Sequence, residues 1–551
     1  MLHRAQATFG TRLASFFKRY LSIKERTGVM KQRLKNIGLF FLIVSLLAGI
    51  IGCSNVANQT ANHADEKEIV LAAPRDLAPG EKDAYYTSII TYVWEPLVGM
   101  GENGEPIPGL ATSWEMANGA KEWIFTLRKG MKFHDGKPVN ADAVVTNYKR
   151  HWEVSPKNSP FYTLDFKKSY AGLQAIEKVD EQRVKFVFEQ PQPTLLYAME
   201  NFGSPIYSPD SFAENGDFKG IPAGTGPFKL VSHEKDHYML LERNEEYYGE
   251  KAKAKQIRIN VIPDADTRFS ALKSGEIMGV IDLGAISPDQ ANQLKQNHDF
   301  SISVNKSSVS HYIHPNGTKY PFNDVKMRQA VSLLLDRKQL VDSLYGGYAT
   351  PTATMINAMS PFYVEQPIEH SPEKAKKLAN EVLQGKRKSV TLIVPSYGID
   401  RYPYKAQAEW VQAVLKEIGL DVSIKILDGA AFKEAQRTGD YNLALATQGL
   451  PNMDPYTLLA NYMQSHGASN KNYSLGYQNA EADALLKDVQ KTLNIEERKK
   501  IYGCLLQIAA QDWPTIPLFH DATLVSSNAK LQGLNALPYG VTLPQIERKK
   551  E

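Results

Sequence analysis

Cysteine is nearly missing from this chain, with two in 551 residues, Cys53 and Cys504. That excludes a disulfide framework and a Cys-rich zinc site. A strong charge of one sign is missing too: 64 Lys and Arg stand against 60 Asp and Glu, a net of +4. Even this small excess is local. Residues 1–36 hold nine Lys/Arg and one acidic residue, Glu25, a net of +8. From Cys53 onward the chain keeps 55 of the 64 basic and 59 of the 60 acidic residues, a net of −4. A mildly acidic body argues against a nucleic-acid partner. Catalytic motifs are also lacking. No Gly-x-Ser-x-Gly elbow, His-Glu-x-x-His pair or P-loop occurs, and the glycines of 216–228 lack the Gly-Lys-Ser/Thr that cradles phosphate. Cys504, inside an expected helix over 501–509, reads as a core thiol rather than a nucleophile. No enzyme activity and no cofactor are expected, with a secreted hydrolase as a rival class.

What is present is ordinary globular composition, 43% hydrophobic and 23% charged, which excludes disorder, collagen and coiled coil. The length exceeds the ~250–300 residues at which single cores stop growing, so two or more folded units are expected. One long apolar run exists, Ile37 to Gly52, preceded by the basic segment Lys31 to Asn36 and ending at Cys53. Sixteen residues are short for a membrane span, which needs ~20, but suit the core of a signal peptide. Ile50-Ile51-Gly52-Cys53 resembles a bacterial lipobox, which implies cleavage after Gly52 and diacylglycerol on the Cys53 thiol. An uncleaved anchor helix is the alternative, and either way the body lies outside the cytoplasm. Residues 1–52 are thus expected to be leader. Met30 opens one of normal proportions, so translation is expected to start there. Residues 53–66 are small and polar, a flexible tether.

The body opens on an expected strand, Glu68 to Ala73, and a helix from Ala84 to Trp94. A turn at Glu102-Asn103-Gly104-Glu105 signals a hairpin. Trp123 to Leu127 and Arg183 to Phe188 alternate as half-buried strands do, and Ile257 to Ile262 reads as another strand. In the second half, helical spacing covers Asp324 to Leu344, Pro372 to Leu383, Lys405 to Ile418 and Ala480 to Ala510. Strands are expected at Ser389 to Val394, Asp421 to Ile426 and Leu443 to Ala446. Strand–helix–strand order there predicts crossovers onto a mostly parallel sheet. The fold class is α/β.

Six segments in order then carry a family resemblance. They are Val93-Trp94-Glu95-Pro96-Leu97-Val98, Pro108 to Glu115, Phe125 to Gly136, Gly224-Thr225-Gly226-Pro227-Phe228, Asn244 to Gly249, and Val325 to Ala330. From about Glu68 to Pro544 the chain resembles the extracytoplasmic solute-binding proteins, family 5, of peptide and nickel ABC importers. The resemblance implies a two-lobed periplasmic-binding-protein-like fold (type II, peptide/nickel-binding cluster) with an extra domain inserted in the first lobe. On that template 67–111, 222–310 and 516–548 form lobe I, 112–221 the inserted domain, and 311–515 lobe II. The expected partners are a small peptide or metal chelate, permease subunits of an ABC transporter, and the membrane through the lipid anchor of a monomer. The expected place is the extracytoplasmic face of the cell membrane of a bacterium, Gram-positive by the same reading. The motifs themselves read as structural, since their glycines sit at turns and close approaches.

By the same resemblance, ligand contacts fall on loops facing the cleft: Tyr85, Tyr86, Thr87, Phe161, Tyr162, Phe202, Ser204, Tyr397, Arg401, Tyr404, Gln448 and Asn452. Aromatics suit such a site because they pair a wide apolar face with a polar edge. Peptide binders place an aspartate for the α-ammonium where this chain has about Pro451. The nickel branch carries a histidine near Ala446 and an arginine within the stretch matching Phe202 to Pro205; both are absent here. Asp454 reads as a loop cap. His311 and His314 could serve a metal only if both faced the cleft, and no metal site is assigned. An oligopeptide, with end charges met by Lys82, Asp83, Asp400 or Arg401, is the leading ligand. A nickel or other metal chelate is the alternative, and a ligand-sensing module for a membrane receptor the alternative of another class.

Overall fold

A computed structural model describes residues 68–78, 88–101, 104–150, 152, 170–199, 205–282, 284–396, 399, 402–450, 453–538 and 540–549. Its backbone is one eleven-stranded mixed sheet, a separate four-stranded sheet and several two-stranded ribbons. Along the large sheet the strands lie in the order Leu420–Leu427, Lys388–Pro395, Leu443–Gly449, Phe300–Pro315, Ile516–Asn528, Gly279–Val280, Ile69–Ala73, Gln256–Val261, Tyr238–Arg243 and Phe228–Glu234. Thr350–Pro351 pairs with Ile516–Asn528 off this path.

Two long strands hold the halves together. Ser301 to Lys306 pair with Ser527 to Ala522, whose other neighbour is Gly279–Val280 of the first lobe. Val309 to Pro315 pair on their other edge with Leu443–Gly449 of the second. Between Lys306 and Ser310 the ladder slips, a bulge that bends the strand as it leaves one lobe for the other. Each lobe has its own apolar core: Ile69, Leu71, Ile257, Ile259 and Phe228 in the first, Ile313, Leu392, Val394, Val411 and Leu443 in the second.

The second-lobe helices follow from spacing and caps. Pro372–Leu383 starts with proline in its first turn and buries Ala375, Ala379 and Leu383, one stripe at intervals of four. Tyr404–Leu415 buries Ala408, Val411 and Leu415 and leads to the parallel strand Leu420–Leu427 through Gly419, whose φ of +81° suits glycine. Two expected helices break. Asp336 accepts from the Gln339 amide and starts a new helix, giving Val325–Leu334 and Arg337–Leu344. Asn494 accepts from the Glu497 amide and divides Ala480–Lys491 from Ile495–Asp512. In both places a side-chain cap outcompetes helical continuation.

One further expectation needs correction. Of the helix expected over 84–94, the described part is one 3-10 turn, Ser88–Thr91, followed by Tyr92 at φ +56°. The carbonyls of Tyr92 and Val93 instead accept from the amides of Phe228 and Gly226. The three strands expected in the second half do pair parallel, as strand–helix–strand order predicts, while the sheet as a whole is mixed, because Leu443–Gly449 meets Phe300–Pro315 antiparallel and the far edge of the first lobe is an antiparallel meander.

The four-stranded antiparallel sheet runs Ala111–Ala117, Glu122–Leu127, Arg183–Phe188, Leu173–Lys178. Helix Ala141–Lys149, capped by Asn140, packs on it with Tyr148 edge-on to Phe186 at 4.8 Å. Before it, Val98–Met100 and Pro106–Pro108 form the expected hairpin, with Gly104 at φ +76°. Among the described residues no helix is long and apolar enough to cross a membrane.

Candidate functional site

Both halves of the large sheet aim the carboxyl ends of their parallel strands at the crossing. In the first lobe Ile69–Ala73 is parallel to Gln256–Val261 and Gly279–Val280. Gly279–Val280 is antiparallel to Ile516–Asn528, with Val280 opposite Ser526, so its carboxyl end heads toward Asp521. In the second lobe Gly449, at the end of its strand, lies opposite Val309, and Lys388–Pro395 and Leu420–Leu427 run the same way. Open α/β sheets bind ligands in the crevice outside such ends. The candidate site is therefore the crevice between the two sets of ends, floored by the crossing strands.

On the first-lobe side, Arg75 follows the first strand and Asp282 follows Gly279–Val280. Arg75 donates from Nε and Nη2 to the two Asp282 oxygens at 2.6 and 3.0 Å. Asp282 is buried at φ +83°, so the pair supplies the partner a buried carboxylate requires and ties two strand ends together.

The floor is polar. Ser307, Ser308, Ser310, His520 and Thr523 are buried there. Asn357 Nδ2 donates to the Ser307 carbonyl and to the Ser310 hydroxyl, both at 3.0 Å, which satisfies backbone left unpaired by the bulge. Ser310 Oγ lies 2.8 Å from His520 Nδ1. Burial, with Lys306 and His311 nearby, pushes the His520 imidazole down to about 3, so it is neutral at physiological pH. Lys306 is exposed and Asp521 half-buried, which gives the crossing strands one charge of each sign.

On the second-lobe side an aromatic layer surrounds His311. Its ring stacks on Phe519 at 4.3 Å and meets Tyr402 edge-on at 4.6 Å. Asp521 Oδ2 is 3.9 Å from its Nε2. His314, three residues on, faces the other side of the strand against Tyr473 and Tyr462, with its pKa lowered to about 3 by burial. The two histidines do not converge, and among the described residues no group of three or more potential ligands could hold a metal ion.

Of the site residues expected from sequence, two are described. Tyr404 is 1% exposed and supports the layer of Tyr402 and His311 from within. Gln448 ends its strand at the crossing, accepting from the Tyr462 hydroxyl at 3.3 Å and donating to the Gly449 carbonyl at 2.9 Å. Tyr85, Tyr86, Thr87, Phe161, Tyr162, Phe202, Ser204, Tyr397, Arg401 and Asn452 lie outside the described residues, as do Cys53, Lys82, Asp83, Asp400 and Pro451. Asp454 does cap its loop, accepting from the Tyr456 amide at 3.1 Å. It also accepts from Arg498 Nη2 at 2.8 Å and from the Tyr502 hydroxyl, a buried network that local sequence did not signal. The Arg498 and Tyr502 spacing of four on one helix was the available hint. Cys504 corrects another expectation: it is exposed, on the outward face of Ile495–Asp512.

The six motifs largely meet one another. The Glu95 carboxylate accepts from Thr225 Oγ1 at 2.8 Å and from the hydroxyls of Tyr247 and Tyr248 at 2.7 and 2.9 Å. Burial pushes its pKa up, against those donors and the nearby Arg128 guanidinium. Arg128 lies over the Tyr248 ring at 4.9 Å, and His134 Nε2 is 3.0 Å from the Gly226 carbonyl. Thus three other stretches of sequence converge on Glu95, and through Arg128 and His134 the four-stranded sheet is fastened to the first lobe.

Two lobes joined by paired crossing strands, with a sheet inserted in the first, define a solute-binding clamp. Comparison with known proteins gives the family. Residues 105–470 match the model of the bacterial extracellular solute-binding proteins, family 5 Middle, and the chain belongs to that family. It is 27% identical over 431 residues to a probable D,D-dipeptide-binding periplasmic protein of Escherichia coli, covering 77% of this chain and 81% of that one. It is 26% identical over 499 residues to the nickel-binding periplasmic protein of the same organism, covering 87% and 93%. The structure of HbpA2 from Haemophilus parasuis superposes with a TM-score of 0.76 at 26% identity, over 88% of this chain and 100% of that one.

Proposed function

We propose that this protein captures an oligopeptide in the crevice between its lobes and delivers it to the permease of an ABC importer, without catalysing any reaction. The observation that carries the ligand reading is the floor of the crevice, where Lys306 and Asp521 offer one charge of each sign beside an aromatic layer and the Gln448 amide. A peptide brings an ammonium, a carboxylate and a row of amides, which are the complements of those groups. The family also includes a nickel-binding relative, so a metal chelate is the competing ligand. Calorimetry with a pool of tripeptides to pentapeptides, run against nickel with histidine, separates the two. Micromolar or tighter heat from the peptides supports the reading; binding of nickel–histidine with no peptide response overturns it.

The leader supports a second part of the proposal. Its basic segment, apolar run and Gly52-Cys53 junction fit a lipoprotein held at the extracytoplasmic membrane surface by acyl chains on Cys53. A monomer is sufficient, because each chain carries both faces of the crevice.

A further inference from the structure

The chain passes between lobes at the two crossing strands, yet the lobes also meet at a second place, far from them in sequence. There the segment after Arg183–Phe188 in the inserted sheet reaches the second lobe. Thr194 Oγ1 donates to Asp454 Oδ2 at 2.5 Å, across 260 residues. The same Oδ2 accepts from Arg498 Nη2, and the other oxygen of the carboxylate accepts from the Tyr502 hydroxyl. A cavity of about 260 Å³ beside this contact is lined from the insert by Gln192 and Thr194, and from the second lobe by Asp454, Thr457, Lys491 and Arg498. Two apolar contacts continue the seam. Tyr197 meets Phe362 at 5.5 Å between ring centroids, and Met100 packs against the cluster of Met359, Phe362 and Met453. At the hairpin turn, a Cβ added to Gly104 would lie 2.8 Å from the Met359 carbonyl oxygen and 3.1 Å from Met453 sulfur.

The insert belongs mechanically to the first lobe, because Arg128 over the Tyr248 ring, the His134–Gly226 contact and the bond from the His134 amide to the Gly224 carbonyl clamp it there. Any motion about the crossing strands must therefore make or break the seam. We propose that this seam is a closure latch: Thr194, docked on the Asp454–Arg498 pair, and the Gly104 turn, seated on Met359 and Met453, are positioning residues that hold the two lobes together before ligand arrives. Closed population then multiplies affinity, since apparent binding scales with the fraction already competent. The inference rests on the two-lobed fold and not on the identity of the ligand.

Two changes act on the latch by different means. Thr194→Val keeps the volume and removes the hydroxyl, and the ratio of closed to open forms is expected to fall about tenfold, the loss of one hydrogen bond to a charged group. Gly104→Ala inserts a methyl group into the seam and holds it apart. Thr194→Ser keeps the donor and serves as the rescue. Small-angle X-ray scattering of the ligand-free mature protein reads the result. The radius of gyration is expected to rise for Thr194→Val and Gly104→Ala and to match wild type for Thr194→Ser, with unchanged circular dichroism in all three. The peptide concentration giving half-maximal compaction is expected to rise for Thr194→Val by less than the tenfold fall in the ratio, because the competent fraction falls less steeply than the ratio while the closed form is well populated. Superimposable scattering curves for wild type, Thr194→Val and Gly104→Ala overturn the latch. Absence of any response to the peptide pool, with the ligand-free curves separated as expected, overturns the peptide reading and leaves the latch standing.

Discussion

Removing Arg498 tests how much of the second lobe rests on one buried ion pair. Arg498 and Asp454 are 2% and 7% exposed. Arg498→Met leaves the carboxylate buried with neutral donors alone, from Thr194, Tyr502 and the Tyr456 amide. Breaking a buried pair from one side costs about 3–5 kcal/mol. The change also frees the carbonyls of Val489 and Thr492 at the end of helix Ala480–Lys491, which Arg498 Nη1 otherwise binds. Asp454→Asn strands the guanidinium in the same way. The double variant leaves no uncompensated charge, so its loss is expected to fall short of the summed single losses by about 2 kcal/mol, within the range for residues in contact. Urea unfolding of wild type, both single variants and the double variant, compared through midpoints at common slope, gives the coupling. Additivity to within about 0.5 kcal/mol would show that the pair is not the keystone of this network.

Three other changes probe different parts of the account. Gly224→Ala places a Cβ 2.0 Å from the Val93 carbonyl oxygen, so the Glu95 junction cannot close, and soluble, protease-resistant protein is expected to be lost while Gly220→Ala, in open space, is tolerated. The Asp76 carboxyl is raised by burial, but bonds from His233 and the amides of Asp236 and Ala78 outweigh this and lower its pKa below 3.8. A depressed acid stabilises the fold above its unfolded pKa and loses that contribution as pH falls through the folded value. Asp76→Asn should accordingly flatten the acid limb of a stability profile below about pH 4, and an unchanged limb would refute the assignment. Cys53→Ser should leave the precursor unprocessed or release the protein from cells; a membrane-bound product of processed mass would contradict lipidation at that residue.

The parts of the fold visible in sequence are those set by neighbours along the chain. Pro372–Leu383 was readable to the residue because proline marks its start and Ala375, Ala379 and Leu383 repeat on one face. The strands Lys388–Pro395 and Leu420–Leu427 were readable from β-branched runs. Asp336 and Asn494 were misread because apolar spacing continues across them, and only their caps reveal the breaks. Cys504 sits among apolar neighbours in sequence, but two residues beyond buried Tyr502 is the opposite side of a helix. The end of the first expected helix was set by Gly226 and Phe228, over 130 positions away, whose amides take the carbonyls a helix needs. At the site the same division holds. The capping role of Asp454 was local and legible; its bonds to Thr194 and Arg498 span 260 and 44 positions and left no trace in spacing.

The most direct test of the central claim is native mass spectrometry of the mature protein purified without added ligand, followed by release under denaturing conditions. A clamp closing on peptides predicts adducts that resolve into peptide masses of a few residues, displaced by the tripeptide-to-pentapeptide pool. Adducts carrying a metal isotope pattern, or a bare chain that gains no mass from the pool, would contradict it.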